Sequence, residues 1–476
     1  MRYALIPCLA ALTACGSGAS NPPPPPSTSQ NEGWDKEWKL DEPADLSPDP
    51  KVLEVSIVAK VTNLEIMAGK QTPAWTYGDR IPGPLLHAKK GDRLIVHFTN
   101  QLPEPSTIHW HGIRGSNAMD GVPVHSQPEV PIGGSFTYDL PLNDAGLFWY
   151  HPHVSSAEQV GNGLYGAILV DDPDEPKDLG DEVVLVLSDL SLGDDGQLSP
   201  KDAGGDLATL FGREGQYVLA NGKQLPTLRP RPASRIRLRV VNAAKSRYFQ
   251  LALEGHHFLQ IGSDGGLMEE PIDQERPVLA PGERADLILT MDAVAGIDRV
   301  LRWIPFDRGY GSTEFRDEVP IAHILTEGEP LIPNALPSIV RPIAPLPTTD
   351  AELIDLELTQ STTATPLLLG INGVPSWRAA PVPATIGGTQ VFTIKNTMDW
   401  GHPFHLHGFF FQVLDENGQP THPLAWKDTV RVPVMGTVKI VVRYDDRPGM
   451  WMFHCHILDH ADAGMMGMIS LGPGHH

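Results

Sequence analysis

Three features of this 476-residue sequence predict an all-β chain built from several sandwich-like units. Short runs such as LIVHFT and VFTIKN alternate apolar and polar residues, the period-2 signature of strands buried on one face. Glycine and proline, 46 of each, break these runs at the close spacing of sandwich turns. A strand, an asparagine and a second apolar run recur together three times, as RLIVHFTNQLPEPSTIHWHG, RLRVVNAAKSRYFQLALEG and QVFTIKNTMDWGHPFHLHG. The length allows two to four domains with separate buried cores.

The N-terminus stands apart from this pattern. MRYALIPCLAALTAC has one positive charge and a short apolar stretch, and Leu12-Thr13-Ala14-Cys15 followed by Gly16 is similar to a bacterial lipobox. The expectation is a signal peptide over residues 1–15, a lipid on Cys15, and a Pro-rich tether over 16–47. The alternative is an ordinary cleaved secretory peptide. The protein is then exported, as a periplasmic or cell-surface lipoprotein. It meets the membrane only through Cys15, since no other run reaches the roughly 18 apolar residues that span a bilayer.

The body divides into units at 48–175, 180–330 and 345–472. Their linkers are DDPDEPKDLGD and the Pro-rich PLIPNALPSIVRPIAPLPTTD, compositions suited to extended surface connections. Nine residues on from Asn100, Asn242 and Asn396 lie His109, Leu251 and His405. The first and third units therefore carry histidine pairs where the second carries Leu251-Ala252-Leu253, so the second unit should hold no metal.

Those pairs are the chemical signal. H-x-H occurs as His109/His111, His151/His153, His405/His407 and His454/His456, whereas 19 histidines in 476 residues give roughly one such pair by chance. One pair alone is more often a polar strand face than a site, but four pairs are not. In the last pair, Cys455 lies between the histidines. Alternation along a strand sends His454 and His456 to one side and the thiol to the other, so one strand can serve two metal centres. Cys455 with His460, a further histidine and Met465 makes the two-His, one-Cys set with a weak axial thioether of a blue-copper site. Eight imidazoles without a second thiolate suit copper, and three ions could share them as two, three and three.

HWHG, HPH, HPFHLHG and HCH-x3-H-x4-M, in this order, resemble the copper-binding signatures of the multicopper oxidases, the laccase and bilirubin oxidase family, over residues 50 to 472. The resemblance implies three consecutive cupredoxin-like Greek-key β-sandwiches, with type 1 copper in the third and a trinuclear cluster between the first and third. It implies four coppers per chain. His402, Cys455, His460 and Met465 match the type 1 ligands, and His109 and His405 the type 2 pair. His111, His151, His153, His407, His454 and His456 match the type 3 ligands. The implied activity is laccase-like: one-electron oxidation of phenols or aromatic amines at type 1 copper, coupled to four-electron reduction of dioxygen to water. His460 would present its ring edge to the donor, and Cys455 would pass electrons to His454 and His456. Axial Met465, in place of Leu or Phe, should lower the type 1 potential.

Asp120 matches the acid that many family members use to deliver protons, a solvated loop aspartate being the alternative. Ala461 stands where several bacterial relatives have glutamate, and Asp462 is the candidate substitute. The alternative function is oxidation of Cu(I), Fe(II) or Mn(II). Iron oxidation would need carboxylates beside His402 and His460, and Asp399, Asp459 and Asp462 are near in sequence. No Met-rich insert accompanies the cassette.

His87, His97, His125, His256, His257, His323 and His422 have no partner at ligand spacing and are expected to be structural, while His475 and His476 end the chain. With only Cys8, Cys15 and Cys455, no internal disulfide is expected. A net charge of −22 without a basic patch excludes nucleic-acid binding and favours neutral or cationic donors. The expected partners are dioxygen and a small aromatic donor or reduced metal ion, on a monomer. Without a twin-arginine pair, copper loading should follow export.

Overall fold

A computed structural model describes residues 38–472 apart from 310–312, 314–315, 337–340 and 362–367. The expected signal peptide, Cys15 with its expected lipid, and most of the expected tether lie outside the described residues. From residue 38 onward, the segment counted with the tether is docked on the body. Trp38 packs into the core of the second sandwich and Leu40 into a neighbouring cluster, and the Trp38 carbonyl accepts a hydrogen bond from Asn221 Nδ2 at 2.8 Å.

The described chain forms six sheets, two to each of three cupredoxin-like sandwiches. Each sandwich has the same parallel pairing at its centre: 52–64 with 93–100, 181–190 with 235–242, and 352–361 with 389–396. The repeat seen in the sequence is the cause. Strand Arg93–Asn100 buries Leu94, Val96 and Phe98 on one face while intervening residues reach the surface. Burial of each such side chain stabilises by about 1.5–3 kcal/mol.

The repeated asparagine closes each unit in the same way. Asn100 Nδ2 donates to Glu104 O and Val130 O, Asn242 Nδ2 to Arg247 O and Leu279 O, and Asn396 Nδ2 to Trp400 O and Pro433 O. Each Oδ1 accepts from the backbone N–H two residues on, at 3.0 Å. A buried asparagine satisfied on both sides fixes where the next strand begins. That strand carries His109 and His111 in the first unit and His402 and His405 in the third. In the second, Leu251 and Leu253 are core residues.

Three short helices sit around one end of the third sandwich: α1 (Ser156–Gly161), α2 (Gly205–Phe211) and α3 (Leu458–Asp462). α3 carries His460 and packs against both of the others. No helix among the described residues is long and apolar enough to cross a membrane.

Candidate metal centres at the junction of the sandwiches

Strand Gly449–Cys455 pairs with 402–406, placing His405 opposite His454 and Phe404 opposite Cys455. In the first sandwich His109 lies opposite His151. Alternation then separates the ligands as the sequence requires. Cys455 faces the core of the third sandwich, while His454 and His456 face the first.

On the core side, Cys455 Sγ lies 3.4 Å from His402 Nδ1 and 3.4 Å from His460 Nδ1, which are 3.1 Å apart. The centre of that triangle is about 2 Å from all three atoms, the length of a metal–imidazole bond. Met465 is buried in the same core; its N–H donates to His460 O and its carbonyl accepts from Cys455 N–H. Burial pushes the thiol up to about 12, and a metal bound between the two imidazoles would hold it as a thiolate.

On the other side, the eight remaining histidines form three groups whose ligand atoms lie within 4.8 Å of one another. His111, His151 and His456 make one triad and His153, His407 and His454 a second; His109 and His405 approach each other beside His111. All eight are buried. In six, one ring nitrogen is anchored on a named protein oxygen: His109 Nδ1 on Asp120 O (2.8 Å), His405 Nδ1 on Asp428 O (2.9 Å), and His407 Nδ1 on Asp120 Oδ2 (2.9 Å). His454 Nδ1 lies 2.9 Å from Cys455 O, His151 Nδ1 3.0 Å from Pro152 O, and His111 Nε2 3.1 Å from Asp428 Oδ1. The opposite nitrogens of His109, His111, His151 and His405 are buried with no protein partner, as are His153 Nε2 and both nitrogens of His456. Buried unpaired nitrogens are costly. Here they converge, and one anchored nitrogen per ring is how metal-ligating imidazoles are oriented. The residues present thus fit copper, and burial holds the imidazoles neutral and ready to ligate: His454 is lowered to about 3, and His111, His151, His153, His407 and His456 lie well below the usual range.

Asp120, 6 % exposed, joins the His109 group to the His153–His407–His454 triad by accepting from His407 and His109. Burial would raise its carboxyl, but His407 and His109 outweigh that and hold it below the carboxylate range. The solvated-loop alternative does not describe it.

Sequence reasoning missed Asp428 and Arg284. The Arg284 guanidinium, from the second sandwich, uses every donor: two on Asp428, the others on Gly282 O, Asp264 O and Leu147 O. The glycine of HWHG makes room for it. Gly112 has φ +89°, and a Cβ there would lie 2.7 Å from Arg284 Nη2 and 2.6 Å from Phe148. A polar RAD at the start of one strand and a polar KDT leading into another were the only trace of these residues in the sequence.

The exposed edge expected of His460 is absent. His460 is fully buried, and its Nε2 donates to Leu210 O of α2 at 2.9 Å. α2 itself buries no residue and is flanked by positive-φ glycines, Gly204, Gly205 and Gly212. It is a thin cover over an otherwise complete site. The acids near His460 in sequence turn elsewhere: Asp459 accepts from Arg213, Asp462 from the N–H groups of Ser156 and Ala157, and Asp399 is exposed. Asp462 caps the start of α1 at Ser156, three residues after His153 in the sequence, with its carboxyl pushed up by burial to about 6. Six of the remaining histidines pair with carboxylates, His87 with Glu42 and Asp171, His97 with Glu54, His256 with Asp292, His257 with Asp273, His323 with Asp298 and His422 with Glu269. His125 is exposed. His475 and His476 lie outside the described residues.

A buried two-His, one-Cys site joined through one residue to paired three-histidine sites defines a copper-dependent oxidoreductase that uses dioxygen. The chain belongs to the multicopper oxidases. It matches that family over residues 59–175, 181–297 and 346–474. It is 31 % identical to multicopper oxidase MmcO of Mycobacterium tuberculosis, covering 84 % of this chain and 83 % of that protein. It is 28 % identical to a laccase of Bacillus subtilis, over 85 % of this chain and 91 % of the relative. Among solved structures it is similar to a multicopper oxidase from Campylobacter jejuni described as a metallo-oxidase, with a TM-score of 0.82, 27 % identity and coverage of 91 % and 94 %. Family membership implies four coppers per chain, one type 1, one type 2 and two type 3.

Proposed function

We propose that the chain is a laccase-like oxidase of small aromatic donors, phenols or aromatic amines. Copper, when bound, supplies one-electron redox chemistry at the thiolate site and four-electron reduction of dioxygen at the histidine cluster. The observation that carries the reading is Cys455 itself. Its sulfur belongs to the His402–His460 triangle, while the adjoining residues His454 and His456 belong to different triads of the cluster. With copper bound, the backbone of Cys455 would offer electrons from a donor at the His460 side a covalent route to each triad, one through His454 and one through His456. His402, Cys455, His460 and Met465 would hold the type 1 ion, His109 and His405 the type 2 ion, and His111, His151, His456 and His153, His407, His454 the two type 3 ions.

Making two waters consumes four protons. Asp120 anchors the Nδ1–H groups of His109 and His407 so that their opposite nitrogens face the cluster, and Asp462, with its raised carboxyl beside the segment carrying His153, can hold a proton near neutrality. An organic donor fits because, among the described residues, no carboxylate hydrogen-bonds His460 or His402: Asp459 is occupied by Arg213 and Asp462 by α1.

The second reading is oxidation of Cu(I), Fe(II) or Mn(II). The cover of α2 over His460 favours it, since a metal ion needs less access than a ring. Export as a lipoprotein anchored at Cys15 is part of the proposal, resting on the lipobox-like Leu12–Cys15. Steady-state oxidation of dimethoxyphenol, Cu(I) and Fe(II) with oxygen uptake followed tests the assignment. Organic turnover well above metal turnover is expected, and the reverse preference would move the protein to metal homeostasis.

A further inference from the structure

A cleft of about 960 Å³ opens directly above α3, between α1 and α2. That is the size of a small-molecule site. Asp462 lies in its wall, two residues from His460, and so does Phe211, the last residue of α2. Phe211 meets Trp400 edge-on at 5.5 Å between ring centres, and Trp400 lies 6.4 Å from the His402 ring. A ring resting on Phe211 therefore contacts an aromatic run that ends on a type 1 ligand. Leu210, beside it, touches the other.

The charge in this cleft opposes that of the whole protein. Five lysine and arginine side chains line it against three carboxylates, whereas the chain carries −22. Four of the five are engaged: Lys201 with Glu158, Arg213 with Asp459, Arg247 with Asp189, and Arg316 with Glu214. Lys245 is not. Among the described residues its Nζ has no hydrogen-bond or ion-pair partner, and burial lowers it from the ordinary lysine range. Its backbone carbonyl accepts from Leu458 N–H at 2.9 Å, fixing it to the start of α3, and its ammonium lies along α1, where a Cβ on Gly161 would come within 3.0 Å. Asp459, Asp189 and Asp462 act on this half-desolvated ammonium only from beyond contact distance, so an anion that pairs with it directly supplies the hydrogen bonds it lacks. At the roughly 8–10 Å screening length of physiological salt, the distant negative surface does not cancel that attraction.

We propose that this cleft is the donor site and that it prefers aromatic acids, phenols whose carboxylate pairs with Lys245 while the ring lies against Phe211. The proposal rests on the laccase-like reading. Each phenol loses one electron and its hydroxyl proton and becomes a phenoxyl radical. Four such electrons and four protons convert one dioxygen to two waters, so the established oxidant closes the balance.

The test uses the full copper-loaded protein, wild type, Lys245→Gln and Lys245→Arg, with 4-hydroxy-3,5-dimethoxybenzoate and 2,6-dimethoxyphenol, which differ by the carboxylate. The ratio of kcat/KM for the acid to that for the neutral phenol should fall about tenfold in Lys245→Gln, mainly through KM, and recover in Lys245→Arg. Calorimetry with 3,4,5-trimethoxybenzoate, which has no phenol to oxidise, reads the same site without turnover. Its Kd should weaken about tenfold in Lys245→Gln. Phenol oxidation with an unchanged ratio and unchanged Kd overturns the proposal and leaves the laccase-like reading standing. Binding of the benzoate through Lys245 without oxidation of either phenol overturns both the donor role and that reading.

Discussion

Arg284 and Asp428 meet as a bidentate pair, Nη1 to Oδ1 at 2.7 Å and Nη2 to Oδ2 at 2.6 Å, with both side chains almost wholly buried where the three sandwiches join. Burial alone would raise the Asp428 carboxyl, but Arg284 and His111 outweigh it and hold the group below its usual range. The second sandwich thereby orients His111 and, through the Asp428 carbonyl, His405.

Asp428→Asn keeps an acceptor for His111 but loses the charge that Arg284 pairs with. Orienting partners of this kind are worth 10–100-fold in metal affinity, and a buried charge left unpaired costs about 3–5 kcal/mol. Copper titration against a chelator should show weakened type 2 and type 3 binding with the type 1 absorbance kept. Four coppers held at wild-type affinity would remove Asp428 from the cluster's support.

Gly282, with φ +86°, presses on His456; a Cβ there would lie 2.8 Å from the ring's Cδ2 and 3.0 Å from its Nε2. Gly282→Ala should displace that ring and reduce type 3 occupancy, at a cost of about 1–3 kcal/mol for the overpacking. Copper content and oxygen uptake check this. Wild-type values for both would show that the ring has room.

Asp120→Asn should keep the blue absorbance and slow oxygen reduction by about tenfold or more, because His407 Nδ1 loses a charged acceptor while the type 1 triangle is untouched. Anaerobic reduction by donor followed by an oxygen pulse separates the two half-reactions. Unchanged reoxidation would take Asp120 out of the mechanism.

The copper-free protein should be acid-sensitive. An unfolded histidine binds its proton near pH 6.5, whereas His454 and His460 are held at about 3 when folded. Between those values the unfolded chain binds more protons, so stability falls as pH drops below about 6.5. Copper blocks protonation of the ligands and should delay the loss. Tm measured from pH 7.5 to 4.5, with and without copper, should separate progressively on the acid side. Parallel curves would contradict the burial of neutral imidazoles.

The ligands were legible because histidine and cysteine are scarce and because a spacing of two on a strand puts both rings on one side. The triplicated asparagine was legible too, since Asn100, Asn242 and Asn396 perform one local task. Arg284 and Asp428 were not. They are 144 residues apart, and neither stands at a spacing that marks its neighbours. The cover over His460 was equally silent: GGDLATLF encodes a weak helix between glycines, and only the tertiary structure says that Leu210 O lands on Nε2.

Everything turns on Cys455 as the port through which electrons reach the cluster. Cys455→Ser, loaded with copper and analysed for metal content and oxygen uptake with dimethoxyphenol, tests this most directly. The expected protein retains about three coppers, one fewer than the four of the family, lacks the blue absorbance and consumes no oxygen with the donor. Donor-dependent oxygen uptake at the wild-type rate from that three-copper protein would mean that electrons enter the histidine cluster by another route.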